Sequence, residues 1–211
     1  MSGDGAGASA AIERYYRFHS HIYDATRWSF LFGRRALVAR LARHLPAPRR
    51  ILEVGAGTGR NLVALAEAFP GAAIAGLDAS ADMLAIAARH VGSPGSRVEL
   101  VHRRYDAPLS RPQPFDLVVF SYALSMFNPG WSLAIDFARQ DLAVGGCIAV
   151  VDFHACASKL FKRWMAVNHV CMNGHLLPAL ATRFYPCHRR VHRAYGGLWS
   201  YVTFIGRKSS A

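Results

Sequence analysis

The chain has 211 residues and a formal net charge of +12, with 52% hydrophobic and 18% charged residues. This length suits one domain with a substantial core, and the apolar content excludes global disorder. We find no apolar run near the ~20 residues of a membrane-spanning helix, and no signal peptide is recognised. The positive charge favours a polyanionic partner, either nucleic acid or an anionic membrane surface.

The N-terminal region predicts a tail followed by helices. Residues 1–11 are rich in Gly, Ala and Ser, and we expect a disordered tail there. Residues 12–46 are aromatic and basic, and Leu37, Leu41 and Leu45 recur every four residues, which is typical of one helix face. We predict that residues 12–46 form a helical lid.

The stretch from residue 47 to residue 153 alternates short apolar runs with helical patterns and is predicted to be the cofactor-binding core. The predicted strands are 50–54, 72–77, 98–102, 115–121 and 147–153, and the predicted helices are 60–68, 81–90 and 133–142. Such alternation is typical of a parallel sheet with helices on both faces.

The remaining residues, 154–211, are predicted to be a substrate-side segment that ends in a strand hairpin. Residues 154–186 have an irregular pattern, whereas 189–195 and 198–206 predict two strands around a Gly-Gly turn. We therefore expect one α/β domain, a doubly wound and mostly parallel seven-stranded sheet.

A glycine-rich turn follows the first strand and opens a helix, in the pattern E-x-G-x-G-x-G from Glu53 to Gly59. Glycines there let the backbone turn sharply and approach a ligand. A dinucleotide-binding fingerprint would need a small residue where this chain has Arg60. No G-K-[ST] sequence follows, so a phosphate-binding P-loop is also excluded.

This pattern resembles motif I of class I S-adenosylmethionine-dependent methyltransferases, and later features agree in order. Asp78 ends the second strand, Asp106 follows the third, and residues 142–146 resemble the family's L-x-x-G-G. The resemblance implies a Rossmann-like fold, S-adenosylmethionine as cofactor, S-adenosylhomocysteine as product and no metal. The cofactor-binding residues that it implies are Glu53, Gly55, Ala56, Gly57, Gly59, Asn61, Asp78, Ala79, Met83, Tyr105, Asp106, Ala107 and Ser121.

Several acceptor classes are disfavoured by the residues present. Amino-group DNA and glutamine enzymes carry [DN]-P-P-[YF] after strand four, where this chain has Ser-Tyr-Ala-Leu at 121–124. The acidic cluster of metal-dependent catechol enzymes is missing from this position. The spacings Cys171-x3-His175 and Cys187-His188-x3-His192 lack the paired cysteines of a zinc site.

Residues 15–34 and 196–208 are similar to the ends of bacterial betaine-lipid N-methyltransferases. That resemblance implies successive N-methylation of diacylglyceryl-homoserine by a cytoplasmic enzyme, peripheral on the inner membrane face, with a lipid amine and an anionic membrane surface as partners. Phosphatidylethanolamine or an ornithine lipid is the alternative acceptor. From another class, the alternatives are an RNA or protein methyltransferase, or an inactive basic protein that binds lipid or nucleic acid; we regard a nucleic-acid partner as the less favoured.

An amine must lose its proton before it attacks a methyl group, so a base is expected near the acceptor. The catalytic candidates are Tyr16, Tyr23 and His154. Arginines can bind a lipid carboxylate or phosphate, and the candidates for substrate binding are Arg27, Arg34, Tyr122 and Met126.

Overall fold

The computed structural model describes residues 31–45, 47–92, 97–167 and 170–209. Gly33–Ala211 form one compact unit. The predicted tail and the first part of the predicted lid, with Tyr16, Tyr23 and Arg27, lie outside the described residues, and their predicted roles stay predictions.

The described residues form seven strands and six α-helices. The strands are β1 (Arg50–Val54), β2 (Ala73–Asp78), β3 (Val98–His102), β4 (Phe115–Ser121), β5 (Leu142–Cys156), β6 (Tyr185–Ala194) and β7 (Trp199–Arg207). The helices are α1 (Arg34–His44), α2 (Arg60–Ala68), α3 (Ala81–Val91), α4 (Trp131–Asp141), α5 (Lys159–Val167) and α6 (Leu176–Arg183). Single 3₁₀ turns lie at Leu124–Met126 and Tyr195–Gly197. None of the helices in these ranges is both long enough and apolar enough to cross a bilayer.

The strands form one sheet in the order β3-β2-β1-β4-β5-β7-β6. All pairs among β1 to β5 are parallel, and β7 is antiparallel to both β5 and β6. The predicted fold class, a mostly parallel seven-stranded sheet, is therefore confirmed. Strand order reverses between β1 and β4, and the carboxyl ends of the strands at such a point form a crevice that binds ligands.

The core lies on both faces of the central strands. Val118 and Phe120 of β4 lie on one face and Leu117 and Val119 on the other, and each is at most 1% exposed, as expected for parallel strands that are covered by helices on both sides. Burying each of these side chains contributes roughly 1.5–3 kcal/mol. The well-packed strands hold the loops at their carboxyl ends in place.

Helix α1 belongs to this core, which corrects the boundary of the predicted lid. Leu37, Val38 and Leu41 are buried, Leu41 completely, and the helix contacts α2 and β5. The four-residue spacing identified the right helix face, but that face packs on the sheet.

The segment after β5 is more regular than its sequence pattern predicted, because it contains α5 and α6. Pro178 lies in the first turn of α6, where its missing N–H group has no helical partner to lose. Both helices have fewer than ten residues, so their periodicity is hard to recognise in the sequence.

Candidate active site

The glycine turn joins β1 to α2 at the crevice, and its backbone requires glycine. Gly55, Gly57 and Gly59 all have positive φ, at 76°, 55° and 77°. A Cβ atom on Gly59 would lie 2.8 Å from the Cβ of Ala87 on α3. Any larger residue there would push α3 away from the turn.

The space above Gly57 is open, and the carboxylate of Asp78 fixes the turn beside it. A Cβ atom on Gly57 would meet nothing within 4 Å. The Gly57 amide donates to Asp78 Oδ2 at 2.7 Å, and the Ser80 amide donates to Asp78 Oδ1 at 2.9 Å. Each carboxylate oxygen keeps a further lone pair, so Asp78 can accept two hydroxyl groups from a ligand while it holds the turn.

Glu53 is a buried carboxyl group with one unused oxygen. Its Oε1 accepts a hydrogen bond from Asn61 Nδ2 at 2.7 Å, while Oε2 has no partner among the described residues. Burial raises the pKa of Glu53 to about 7, and the Asn61 bond and the positive charge of Arg34 oppose that rise. An unsatisfied buried polar atom is costly, and a ligand ammonium group would satisfy it.

Three further residues predicted to bind the cofactor, Met83, Tyr105 and Asp106, differ in how far they are buried. Asp106 is exposed and Met83 is half-buried, and the Met83 amide donates to the Ser80 hydroxyl at the start of α3. The ring of Tyr105 is buried, and its hydroxyl donates to Asp141 Oδ2 at 2.7 Å. The side chain of Tyr105 therefore holds the core together, and its backbone is left for the predicted contact with the cofactor.

Arg34 and Ser121, two predicted site residues, meet at the end of β4. Arg34 Nε donates to Ser121 Oγ at 2.7 Å, and Arg34 Nη2 donates to the Ser121 carbonyl at 3.3 Å. The Arg34 guanidinium carbon lies 5.8 Å from the centroid of the Tyr122 ring. The charge of Arg34 also lowers the pKa of Glu53, so Arg34 lies near that carboxyl as well as at the end of β4.

Tyr122 itself is an interior residue, and its predicted role in substrate binding stays a prediction. Its side chain is 1% exposed and packs edge-on against Phe153, with ring centroids 4.7 Å apart. The guanidinium group of Arg34 lies over this ring. Met126, the neighbouring candidate, is half-buried in the turn after β4.

Two histidines lie at this end of the sheet, His154 near the end of β5 and His175 just before α6. The Gly174 amide donates to the His154 carbonyl at 2.7 Å, which places His175 beside His154. The Nδ1 atom of His154 and the Nε2 atom of His175 are buried without a partner among the described residues. Burial lowers the pKa of both imidazoles, and the charge of His154 lowers that of His175 further. Both rings are therefore neutral at pH 7 and can accept a proton.

In the sequence, His175 stands out only in the Cys171-x3-His175 spacing, and nothing there connects it with His154. It lies 21 residues after His154 and reaches it because Asn173 pairs with Ala155 in a single antiparallel bridge. Its ring also packs against Trp131, with centroids 4.5 Å apart. Within the described ranges no three His, Cys, Asp or Glu side chains gather as metal ligands.

Asp152 is a second residue that the sequence did not single out. It is completely buried near the end of β5, where it accepts hydrogen bonds from the amides of Ser125 at 3.1 Å and Phe153 at 2.7 Å. Burial raises its pKa to about 6. These bonds fix the turn after β4 against the strand that presents His154.

Comparison with known proteins finds similarity over the central part of the chain. Residues 51–146 match a family described as a methyltransferase domain. Trans-aconitate 2-methyltransferase of Methylobacterium nodulans is 35% identical over 106 residues, 50% of this chain and 39% of that protein. Demethylmenaquinone methyltransferase of Thermus thermophilus is 36% identical over 110 residues, 51% of this chain and 48% of that protein. The chain thus spans less than half the length of these curated relatives, neither of which is a betaine-lipid enzyme.

Solved structures share the fold at low identity. The N-methyltransferase NodS from Bradyrhizobium japonicum, in complex with S-adenosylhomocysteine, has a TM-score of 0.68 and 19% identity, over 84% of this chain and 87% of that chain. The Burkholderia thailandensis 1,6-didemethyltoxoflavin-N1-methyltransferase, also with S-adenosylhomocysteine bound, has a TM-score of 0.69 and 18% identity, over 100% and 92%. Identities this low establish the fold alone.

Proposed function

We propose that this chain methylates the amine of a lipid head group. The chain has the fold of the class I S-adenosylmethionine-dependent methyltransferases, and residues 51–146 match a methyltransferase domain. The acceptor that we favour is diacylglyceryl-homoserine, methylated in successive steps to the betaine lipid. Phosphatidylethanolamine and ornithine lipids present an amine of the same chemistry.

The residues at the crevice fit S-adenosylmethionine. Asp78 has lone pairs for the ribose hydroxyls, the open space at Gly57 admits a ligand against the backbone, and Glu53 Oε2 can accept from the methionine ammonium. When bound, this cofactor supplies a methyl group on a positively charged sulfur. The carboxylate bonds are charge-assisted and hence stronger than neutral ones.

The observation that carries the proposal of an amine acceptor is the pair of neighbouring imidazoles, His154 near the end of β5 and His175 just before α6. A primary amine has a pKa of about 10 and is charged at neutral pH, so its nitrogen has no lone pair for attack. His154 or His175, each a half-buried ring, can take the proton. The amine lone pair would form the new N–C bond while the cofactor's C–S bond breaks, and the imidazolium would release its proton to solvent. The neutral imidazole can then take the extra proton of the product ammonium before the next methylation.

The proposal of a lipid rests on the basic charge and on the resemblance of the chain ends to betaine-lipid enzymes. The described C-terminal part of that resemblance forms β7, which pairs with β5 alongside the strand end that presents His154. Arg34, anchored at the end of β4, is placed to meet the carboxylate or phosphate of a head group.

A second candidate is a small polycarboxylate acceptor, which the trans-aconitate relatives favour. Methylation of a carboxylate needs a cation to hold the acceptor and no base, because the oxygen is already deprotonated at pH 7. Arg34 supplies that cation equally well. The two candidates therefore differ in whether the histidines matter to turnover.

The test is the lipid extract of a bacterial host that expresses the full chain, analysed by mass spectrometry. We expect amine-containing lipids to gain mass in steps of one methylene, and expect His154→Gln with His175→Gln to reduce the gain at least tenfold. Asp78→Ala, which removes the proposed ribose contact, serves as the inactive control. Lipids that stay unchanged while a carboxylate metabolite becomes methylated would favour the second candidate.

A further inference from the structure

The end of the chain differs sharply in charge from the rest. No acidic residue follows Asp152, whereas nine of the 25 lysines and arginines do, so this end carries three quarters of the net charge. Two elements of this end, α5 and the turn between β6 and β7, expose large apolar side chains as well. Cations together with exposed apolar groups are the signature of a surface that meets anionic lipid.

Helix α5 is amphipathic in an unusual way, since part of its apolar face is exposed. Leu160, Trp164 and Val167 are 80%, 52% and 79% exposed, and their spacing places them on one helix face. Met165, on the side that faces the protein, is buried. The helix also carries three exposed cations and no acid: Lys159, Lys162 and Arg163.

The turn between β6 and β7 extends this apolar surface. Tyr195 and Leu198 are 53% and 41% exposed. The Leu198 carbonyl accepts from the Ala157 amide at 3.1 Å and from Cys156 Sγ at 3.3 Å, which ties the turn to the start of α5. We call the five exposed side chains the apolar rim: Leu160, Trp164, Val167, Tyr195 and Leu198.

We propose that the apolar rim inserts into the interface of an anionic phospholipid bilayer, while the cations of α5 contact the lipid phosphates. An anionic bilayer satisfies both parts of the surface: apolar side chains leave water for the acyl boundary, and long cationic side chains reach the head groups. A nucleic acid would pair with the same cations but leave Leu160 and Val167 in water.

The position of the apolar rim gives this docking a consequence for the site. The rim lies at the carboxyl end of β5, the end that presents His154. A bilayer there would bring lipid head groups to the acceptor side of the crevice. The docking itself goes beyond methyl transfer, because it requires neither cofactor nor acceptor.

The test is co-sedimentation of the full chain, without cofactor, with vesicles of phosphatidylcholine alone or mixed with phosphatidylglycerol. We expect binding to the mixed vesicles and at least tenfold weaker binding for Leu160→Ser with Val167→Ser. The matched control is Leu133→Ser with Val144→Ser, at residues that are 58% and 70% exposed on α4 and at the amino end of β5. That control should bind within twofold of the parent chain.

A charge comparison completes the test. Lys159→Gln with Lys162→Gln should weaken binding severalfold, whereas Arg49→Gln with Arg89→Gln, which removes the same charge elsewhere, should change it little. Equal binding to neutral vesicles, or unchanged binding of a folded Leu160→Ser, Val167→Ser chain, would overturn the proposal. So would a full chain that retains RNA on a filter but does not sediment with the mixed vesicles.

Discussion

The raised pKa of Glu53 leads to a prediction about stability. Burial raises this pKa from its ordinary value of 4.5 to about 7. Below pH 4.5 the carboxyl is protonated in both the folded and the unfolded chain. Between about pH 4.5 and 7 the unfolded chain releases the proton and the folded chain keeps it, so folding loses stability as the pH rises. Above pH 7 the loss is complete.

The magnitude follows from the size of the shift. At 1.36 kcal/mol per pH unit, Glu53 costs the folded chain about 2.5 kcal/mol more at pH 8 than at pH 5. Glu53→Gln has no ionisable group, and its side-chain oxygen can still accept from Asn61. The variant should therefore gain about 2.5 kcal/mol relative to the parent chain over this range, roughly 5–10 °C in melting temperature for a domain of this size.

The assay is thermal or urea unfolding of both chains from pH 5 to pH 8 without cofactor. Glu67→Gln, at an exposed position on α2, is the control and should follow the parent chain. Parallel curves for the parent and Glu53→Gln would refute the reasoning, because they would mean that burial does not hold this carboxyl neutral. Cofactor binding should show the converse: an ammonium group favours the ionised carboxyl, so affinity should rise about eightfold from pH 6 to pH 7.5 and lose this dependence in the variant.

Three further substitutions test the rest of the site. Asp78→Ala should raise the dissociation constant for S-adenosylmethionine at least tenfold by calorimetry, since it removes the acceptor of the ribose hydroxyls and the anchor of the Gly57 amide; unchanged affinity in a folded variant would contradict this. Tyr105→Phe should lower the free energy of unfolding by about 1–2 kcal/mol through the lost Asp141 bond and leave cofactor affinity within twofold, whereas a large loss of affinity would restore a binding role. Gly59→Ala should destabilise the fold by more than 1 kcal/mol in urea unfolding, because its Cβ would lie 2.8 Å from that of Ala87 at a positive φ; a neutral result would show that α3 can move.

The sequence predicted the parallel part of the sheet well because the apolar residues of its strands and helices recur at regular spacings. Predicted strands 50–54, 98–102 and 115–121 agree with β1, β3 and β4 to the residue. Each is a short apolar run whose neighbours are turns. The glycine turn after β1 was also predictable. Its backbone requires glycine at Gly57 and Gly59, and the carboxylate of Asp78 at the end of β2 accepts a hydrogen bond from the Gly57 amide.

The acceptor side was less predictable because its residues meet only through tertiary contacts. His175 comes close to His154 because Asn173 and Ala155 form an antiparallel bridge. No local sequence pattern predicts this pairing. Tyr105 is the opposite case. The position of Tyr105 next to Asp106 in the sequence suggested a ligand contact. In the structure the Tyr105 hydroxyl instead donates a hydrogen bond to the buried carboxylate of Asp141.

Methyl transfer to a lipid amine is tested directly by a competition between acceptors. The purified full chain is incubated with S-adenosylmethionine that carries an isotope-labelled methyl group, together with vesicles containing diacylglyceryl-homoserine, trans-aconitate and bulk RNA. We predict that the label enters the lipid in one to three methyl groups and that Asp78→Ala abolishes the transfer. Label in trans-aconitate or RNA, with the lipid unlabelled, would contradict the claim.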